Sequence, residues 1–345
     1  MLVPQLDTTG GGGRFALNLS KGLRASGHEV VVLSYEGHFW RFVRIARRHA
    51  AEADIVHVFD INPLGFVGYL ATRFTRAKFT ITAQGTYAVA PLYAAKTALL
   101  SRFIYRSADA VIAISRFTAS EIRKKVPRLP ITIIDPGIDL NNFPLSAPSR
   151  SASTPVPFML GFGSVKARKG YHISLRAFAL VKKSIPALRY VIVGTHTDEP
   201  GYFRKLEALA HELNVADDVD FLDNVSDAAL NDLYESAALF ILTSVNEGFH
   251  FEGFGMVFLE AAAHGLPTIG TSGNGIADAL EDGKTGILVP QRDVEATAAA
   301  IRALLSDKVL AMQMGERGRV FAAAHDQKHI ARRYDDVYRS AIKRS

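Results

Sequence analysis

The chain has 345 residues, enough for two domains of ordinary size, and its composition is that of a globular protein. It contains no cysteine, which excludes disulfides, a thiolate nucleophile and a Cys-based zinc site and suits a reducing compartment. The net charge of +6 is unevenly shared: residues 1–150 carry 19 Lys and Arg against 10 Asp and Glu, whereas residues 151–345 carry 21 against 24, and such a basic half suits phosphates or an anionic membrane.

Met1 to Leu6 reads as a first strand, and its abrupt start predicts further residues upstream. A glycine run, Asp7 to Arg14, leads into a helical pattern over Phe15–Ser26. Strand, glycine loop and helix is the general form of a phosphate cradle. The run fails the dinucleotide fingerprint, because Phe15 stands where a third glycine belongs, and it has no P-loop ending. Alone it is equally a flexible turn. Arg41 to His49 is a basic, helical-looking segment with apolar residues between the charges. It suits an anionic lipid surface or an ordinary amphipathic helix.

Strands then alternate with helices. Asp54–Phe59, Phe79–Thr82, Ala110–Ile114 and Ile131–Ile134 read as strands. Phe66–Phe74 and Leu92–Ser107 read as helices, and Ser115 is placed to cap another. Leu145 to Pro157 is rich in Ser and Pro and reads as a linker. A second alternating unit follows, with strands at Phe158–Gly161, Arg189–Val193, Val219–Leu222, Ala238–Thr243, Thr268–Gly270 and Thr285–Val289. The fold class predicted is α/β, two doubly wound Rossmann-like domains facing a cleft, with ligands at the carboxyl ends of the strands.

The most informative stretch runs from Ser244 to Thr268. It reads as strand, glycine turn, helix and strand, with the helix at Met256–Ala263. Free N–H groups at such a helix start suit an anionic or sugar-diphosphate ligand. Glu252 and Glu260 have seven residues between them. If the whole segment were helical they would be roughly 12 Å apart, about the span from the sugar to the ribose of a nucleotide sugar. On spacing alone, the favoured reading is that Glu252 is a carboxylate at a positive helix end and Glu260 a solvated helix residue. Gly163 to Gly170 gathers Lys166, Arg168 and Lys169 in one loop, which could neutralise a diphosphate or simply be a basic surface loop. Asp218-Val-Asp220 matches a metal-binding triplet of sugar transferases but enters a strand rather than ending one, so no metal site is assigned.

The Ser244–Thr268 stretch resembles the signature of retaining GT-B glycosyltransferases of family 4, the glycosyl transferases group 1: Glu-Gly-Phe-Gly, a second Glu after seven residues, then Gly-x-Pro. A second Glu-Gly-Phe at Glu247-Gly248-Phe249 makes the register a choice, and Glu252 is chosen for its Gly-Phe-Gly and its distance to Glu260. The early glycine run, Gly27-His28-Glu29-Val30, Ala108 to Val111, Gly137-Ile138-Asp139, Lys169-Gly170 and Thr285-Gly286 are similar too, so the likeness covers nearly the whole chain.

The resemblance implies an N-terminal acceptor domain over 1–145, a linker over 146–157 and a nucleotide-sugar donor domain over 158–327. A final helix, about 328–345, packs back on the first domain. It implies retaining, metal-independent transfer of a sugar to an acceptor hydroxyl, in glycan, glycolipid or cell-envelope polysaccharide synthesis, with no cofactor beyond the nucleotide diphosphate sugar. Glu252 would hold the donor sugar and Glu260 the ribose. Lys169, helped by Arg168, would neutralise the diphosphate, and Phe254, Gly255 and Met256 would offer backbone N–H groups. Gly12 and Gly13 would let the substrates approach, and Asn224 and Val225 would lie near the base.

Two residues depart from the pattern. Ser164 stands in place of an arginine, and Gln84 in place of a histidine near the reaction centre. Glutamine can donate to a sugar hydroxyl but cannot act as an acid or base. These departures keep open a non-catalytic sugar-nucleotide-binding or scaffold protein; a nicotinamide-dependent oxidoreductase is disfavoured by the failed fingerprint. The acceptor implied is a glycan or a lipid-linked molecule, and nucleic acid is not an expected partner. No apolar run spans a bilayer and no leader pattern precedes the first strand, so the expected location is cytoplasmic, with peripheral contact on the inner membrane face.

Overall fold

The computed structural model describes residues 1–4, 11–143 and 156–343. The chain divides into two compact units, Met1–Asp139 with His325–Ser345, and Leu140–Ala324. Most of the expected linker, and residues 5–10 of the first strand and glycine run, lie outside the described residues.

The first unit holds six parallel strands: β1 (Leu2–Val3), β2 (Leu33–Ser34), β3 (Ile55–Phe59), β4 (Lys78–Ala83), β5 (Ala110–Ala113) and β6 (Thr132–Ile133), in the order β2-β1-β3-β4-β5-β6. The second holds β7 (Phe158–Phe162), β8 (Arg189–Val193), β9 (Val219–Leu222), β10 (Leu239–Ile241), β11 (Thr268–Thr271) and β12 (Gly286–Val289), in the order β12-β11-β10-β7-β8-β9. Both sheets are parallel throughout. Their central strands are apolar runs, such as Arg189–Val193, which is buried over its last four residues, as parallel sheets covered on both faces require.

Two sequence expectations are corrected. The glycines at 11–13 are not a loop: they form the first turn of a helix, Gly11–Ala25. Glycine is a poor helix former, but at Gly12 it leaves room for the Gln84 side chain, whose Oε1 would stand 2.6 Å from a Cβ there. The expected helix Leu92–Ser107 is broken, and its regular part is Ala98–Ser107. Thr97 turns its hydroxyl to the Pro91 carbonyl, 2.8 Å, a local bond that competes with the helix ladder.

The expected cap forms: Ser115 accepts from the Thr118 N–H at 3.0 Å. Ser226 caps the helix Asp227–Ser236 by accepting from the Ala229 N–H.

The last helix, Gln327–Lys343, packs on Gly11–Ala25 within the first unit. A Cβ at Gly22 would meet the Gln327 carbonyl at 2.7 Å and the Ala331 methyl at 2.8 Å. The Tyr338 hydroxyl meets Nδ1 of His57 at 2.7 Å, Nε2 of His57 meets Thr82 at 2.7 Å, and Thr82 meets the Tyr334 hydroxyl at 3.1 Å. This buried polar chain fixes one register of the helix on β3 and β4. Gly22→Leu should therefore overpack this seam and lower the stability of the first unit by about 1–3 kcal/mol. Calorimetric melting checks it; an unchanged transition would mean that the seam is not tightly packed.

Candidate donor site and reaction-centre residues

In the second unit the loops at the carboxyl ends of β7 and β10 meet. Gly163 to Gly170 follows β7, and Lys166 opens a short 3-10 turn, Ala167–Lys169. Gly170 then adopts φ 72° against the Thr243 carbonyl, where no Cβ fits. Tyr171 begins the next helix and donates its hydroxyl to the Gly163 carbonyl at 2.8 Å. Arg168 accepts the Val245 N–H through its carbonyl, 2.8 Å. The basic loop is thus tied to the segment after β10 by its backbone before any charge is considered.

The charges then meet. Oε2 of Glu252 accepts from Lys169 Nζ at 2.7 Å, from Arg168 at 3.2 Å and from the Ser244 hydroxyl at 3.3 Å. Oε1 takes none of these three. Burial acts to raise the Glu252 pKa, but the Lys169 and Arg168 charges and the hydrogen bonds from Lys169 and Ser244 outweigh it and bring it down to about 2. Burial pulls Lys169 below the ordinary lysine value, Glu252 opposes that, and Arg168 and Lys166 add to it. Glu247, the alternative register, is exposed and pairs with His250 through the backbone. Glu252 alone of the two meets the cations.

Glu252 is not helical. The helix begins at Met256, with Gly255 at φ 87° before it, so the 12 Å estimate, which assumed a helix throughout, does not apply. A Cβ at Gly255 would meet the Phe258 ring at 2.9 Å. The first-turn N–H groups at Met256 have no acceptor inside the helix. Phe254 is buried. Glu260 is buried as well, not solvated, and its Oε2 accepts from the Tyr234 hydroxyl at 3.4 Å.

Ser164 is half-buried in the basic loop, and its carbonyl accepts the Lys166 N–H at 2.9 Å. Of the two cations available to replace the missing arginine, Arg168 reaches Glu252, whereas Lys166 pairs with Asp198 at 2.9 Å. Asn224, at φ 53°, and Val225 follow β9 at its carboxyl end. Asp218 and Asp220 are committed to ion pairs with Lys182 at 2.6 Å and Arg189 at 2.9 Å.

Sequence reasoning missed the loop after β11. Gly275 donates to the Glu252 carbonyl at 2.9 Å and lies against Gly253, where a Cβ would collide with backbone. Buried Asn274 donates to the Ser244 carbonyl at 3.3 Å and accepts the Ile276 N–H at 2.9 Å. The signal was present as Ser-Gly-Asn-Gly after a strand.

In the first unit, Gly12 and Gly13 open a helix after β1, and Gln84 follows β4. The Gln84 N–H donates to Oδ1 of Asp60 at 3.0 Å. A separate concavity, lined by Asp54, Lys78 and Asp109 among others, lies at the amino ends of these strands, away from where parallel sheets bind ligands.

Residues 147–321 match the family model of glycosyl transferases group 1, and residues 35–142 match that of glycosyltransferase family 4. The chain belongs to the group 1 glycosyl transferases. It is 30% identical over 275 residues to the GDP-mannose-dependent alpha-(1-6)-phosphatidylinositol monomannoside mannosyltransferase of Mycolicibacterium smegmatis, covering 75% of this chain and 69% of that protein. It is 32% identical over 225 residues to the D-inositol 3-phosphate glycosyltransferase of Corynebacterium urealyticum, covering 61% and 51%. The match thus spans between 51% and 69% of these relatives' own length. The fold is that of a solved sucrose-phosphate synthase of Thermosynechococcus elongatus, with a TM-score of 0.83, 22% identity and 100% and 99% of the two chains covered. It is also that of HepE of Anabaena in complex with UDP and glucose, with a TM-score of 0.80, 20% identity and 98% of each chain covered. The architecture of this group 1 glycosyl transferase is therefore GT-B.

The depressed pKa of Glu252 links the site to stability. A carboxylate held at about 2 in the fold and near 4.5 when unfolded stabilises the fold above pH 4.5 by about 3 kcal/mol. That contribution falls away as the pH drops from 4.5 through 2. Glu252→Gln should flatten the acid limb of the stability curve in this window, read by urea unfolding at stepped pH. An acid limb as steep as the wild type's would mean that Glu252 is not held ionised by Lys169 and Arg168.

Proposed function

We propose that the chain is a retaining glycosyltransferase that moves a sugar from a nucleotide diphosphate sugar to an acceptor hydroxyl, without a required metal or cofactor. The observation that carries this reading is the buried Glu252, held as an anion by Lys169 and Arg168 through one oxygen while the other takes none of these bonds. A diphosphate is drawn to the same two cations. Oε1 of Glu252 is then a fixed negative acceptor for donor sugar hydroxyls and for the positive charge that develops on the sugar as the bond to phosphate breaks.

Backbone N–H groups at Phe254, Gly255 and Met256 add donors beside the diphosphate. Glu260 binds the ribose diol, with the Tyr234 hydroxyl steadying its carboxylate. Ser164, Asn224 and Val225 complete the donor contacts at the carboxyl ends of β7 and β9. In the first unit Gln84 donates to a substrate oxygen, and Gly12 and Gly13 allow close approach.

The acceptor class is a glycan or lipid-linked hydroxyl, as the names of the phosphatidylinositol-glycosylating relatives support. The helix Phe39–Ala50 carries exposed Trp40, Arg41, Arg44, Arg47 and Arg48. That mixture of cations and an aromatic suits an anionic inner-membrane surface reached from the cytoplasm. No helix among the described residues is long and apolar enough to cross a membrane.

Ser164 and Gln84 favour a second reading, binding without turnover. Nucleotide release from UDP-, GDP- and ADP-sugars, with the anomeric configuration of the product read by NMR, separates the two. Transfer with the donor's configuration kept is expected. Glu252→Gln should cut turnover by about a hundred-fold with donor affinity largely kept. Undiminished turnover in that variant would remove Glu252 from its role, and inverted product would remove the retaining mechanism.

A further inference from the structure

A carboxyl group that the sequence reading passed over sits at the end of β3. Asp60 follows Phe59 at φ 74°, a backbone conformation that Asp, Asn and Gly tolerate and most residues avoid. Its side chain is buried. β3 and β4 are paired neighbours, with Phe59 opposite Thr82. The Asp60 N–H donates to the Thr82 carbonyl at 2.9 Å, and Oδ1 of Asp60 accepts the Gln84 N–H at 3.0 Å. These two bonds bracket Ala83 and fix where β4 ends.

What they fix is the side chain of Gln84. Oε1 of Gln84 lies against Gly12, where a Cβ would come within 2.6 Å. Its Nε2 is buried and has no hydrogen-bond partner among the described residues. A buried amide N–H left unmade is costly, so this one calls for an acceptor from outside the chain, a ligand or a water. Gly85 follows at φ 56° and opens the short helix Thr86–Val89, so the chain turns away directly after Gln84 and its amide stays at the strand end.

We infer that Asp60 is a positioning residue: by holding the Gln84 backbone N–H it aims the Gln84 side-chain amide at a substrate oxygen. This rests on the transferase reading. The carboxyl acts as a hydrogen-bond acceptor. Burial raises its pKa to about 7, with the Gln84 hydrogen bond opposing the rise, so near neutral pH the neutral form is well populated. The Tyr105 phenol nearby is held protonated, by burial first and by Asp60 second. The neutral amide of asparagine should therefore do the same work.

The backbone at φ 74° dictates the variants. Asp60→Asn keeps an acceptor, and Asp60→Gly removes it without the strain that alanine would meet there. Steady-state kinetics with a sugar nucleotide that the wild type turns over are compared for Asp60→Asn, Asp60→Gly, Gln84→Ala and the Asp60→Gly/Gln84→Ala double variant. The expected result is near-normal kcat for Asp60→Asn and a loss of about ten-fold for Asp60→Gly, with a similar loss for Gln84→Ala. The double variant should be no slower than Gln84→Ala. Losses that multiply, or an Asp60→Asn variant as slow as Asp60→Gly, would overturn the positioning role.

Backbone amide exchange at Gln84, measured on the same proteins, does not depend on turnover. Asp60→Gly should speed it and Asp60→Asn should not. Unchanged exchange in Asp60→Gly overturns the inference even if the chain proves to be a transferase. A wild type that turns over no sugar nucleotide removes the transferase reading, and with it the catalytic arm of the inference.

Discussion

The contact on which the candidate site depends is the buried pair between Lys169 and Glu252, 2.7 Å apart and 83 residues apart in sequence. Neither charge is well placed alone. A carboxylate taken out of water would become neutral, and a buried lysine would lose its proton. Together, with Arg168 and the Ser244 hydroxyl, they keep an anion in the interior of the second unit. Such pairs rarely add net stability over an apolar core of the same volume. In the proposed site the pair serves as preorganisation: a negative acceptor and two cations are fixed before any ligand arrives.

Around that pair the chain uses glycine where backbones touch. Gly170 sits on the Thr243 carbonyl, and Gly275 sits on Gly253. Each contact joins two loops that follow different strands, and each would be destroyed by a methyl group. The conformational cost of so many ordered loop glycines is offset by the packed strands beneath, which are apolar along most of their length.

Much of this was legible in the sequence, and the limits have physical causes. The strands Arg189–Val193 and Val219–Leu222 and the helix Met256–Ala263 fall on the residues expected, because each is a largely apolar segment bounded by turn residues. The helix Gly11–Ala25 was read four residues short at its start, because glycine propensity argues against the helical turn that the glycines form. Leu92–Ser107 was read as unbroken, because a threonine hydroxyl bonding back to Pro91 leaves no mark on hydrophobic periodicity. The Glu252 block could be found from its Gly-Phe-Gly and the spacing to Glu260. That Glu252 would meet the cations of the β7 loop directly, rather than stand apart from them, could not, since no local pattern encodes a contact across that separation. Asp60 was invisible for a similar reason: its partner lies on the next strand.

The central claim is that the Lys169 and Glu252 pair is a diphosphate and sugar site rather than a structural ion pair. Isothermal titration of UDP, GDP and ADP into the intact protein and into Lys169→Met tests it most directly. The account predicts that at least one nucleoside diphosphate binds the wild type and that the variant, with its fold intact by melting, binds it at least about ten-fold more weakly. Equal affinity for that nucleotide in the two proteins would contradict the account and leave the pair as a structural feature of the second unit.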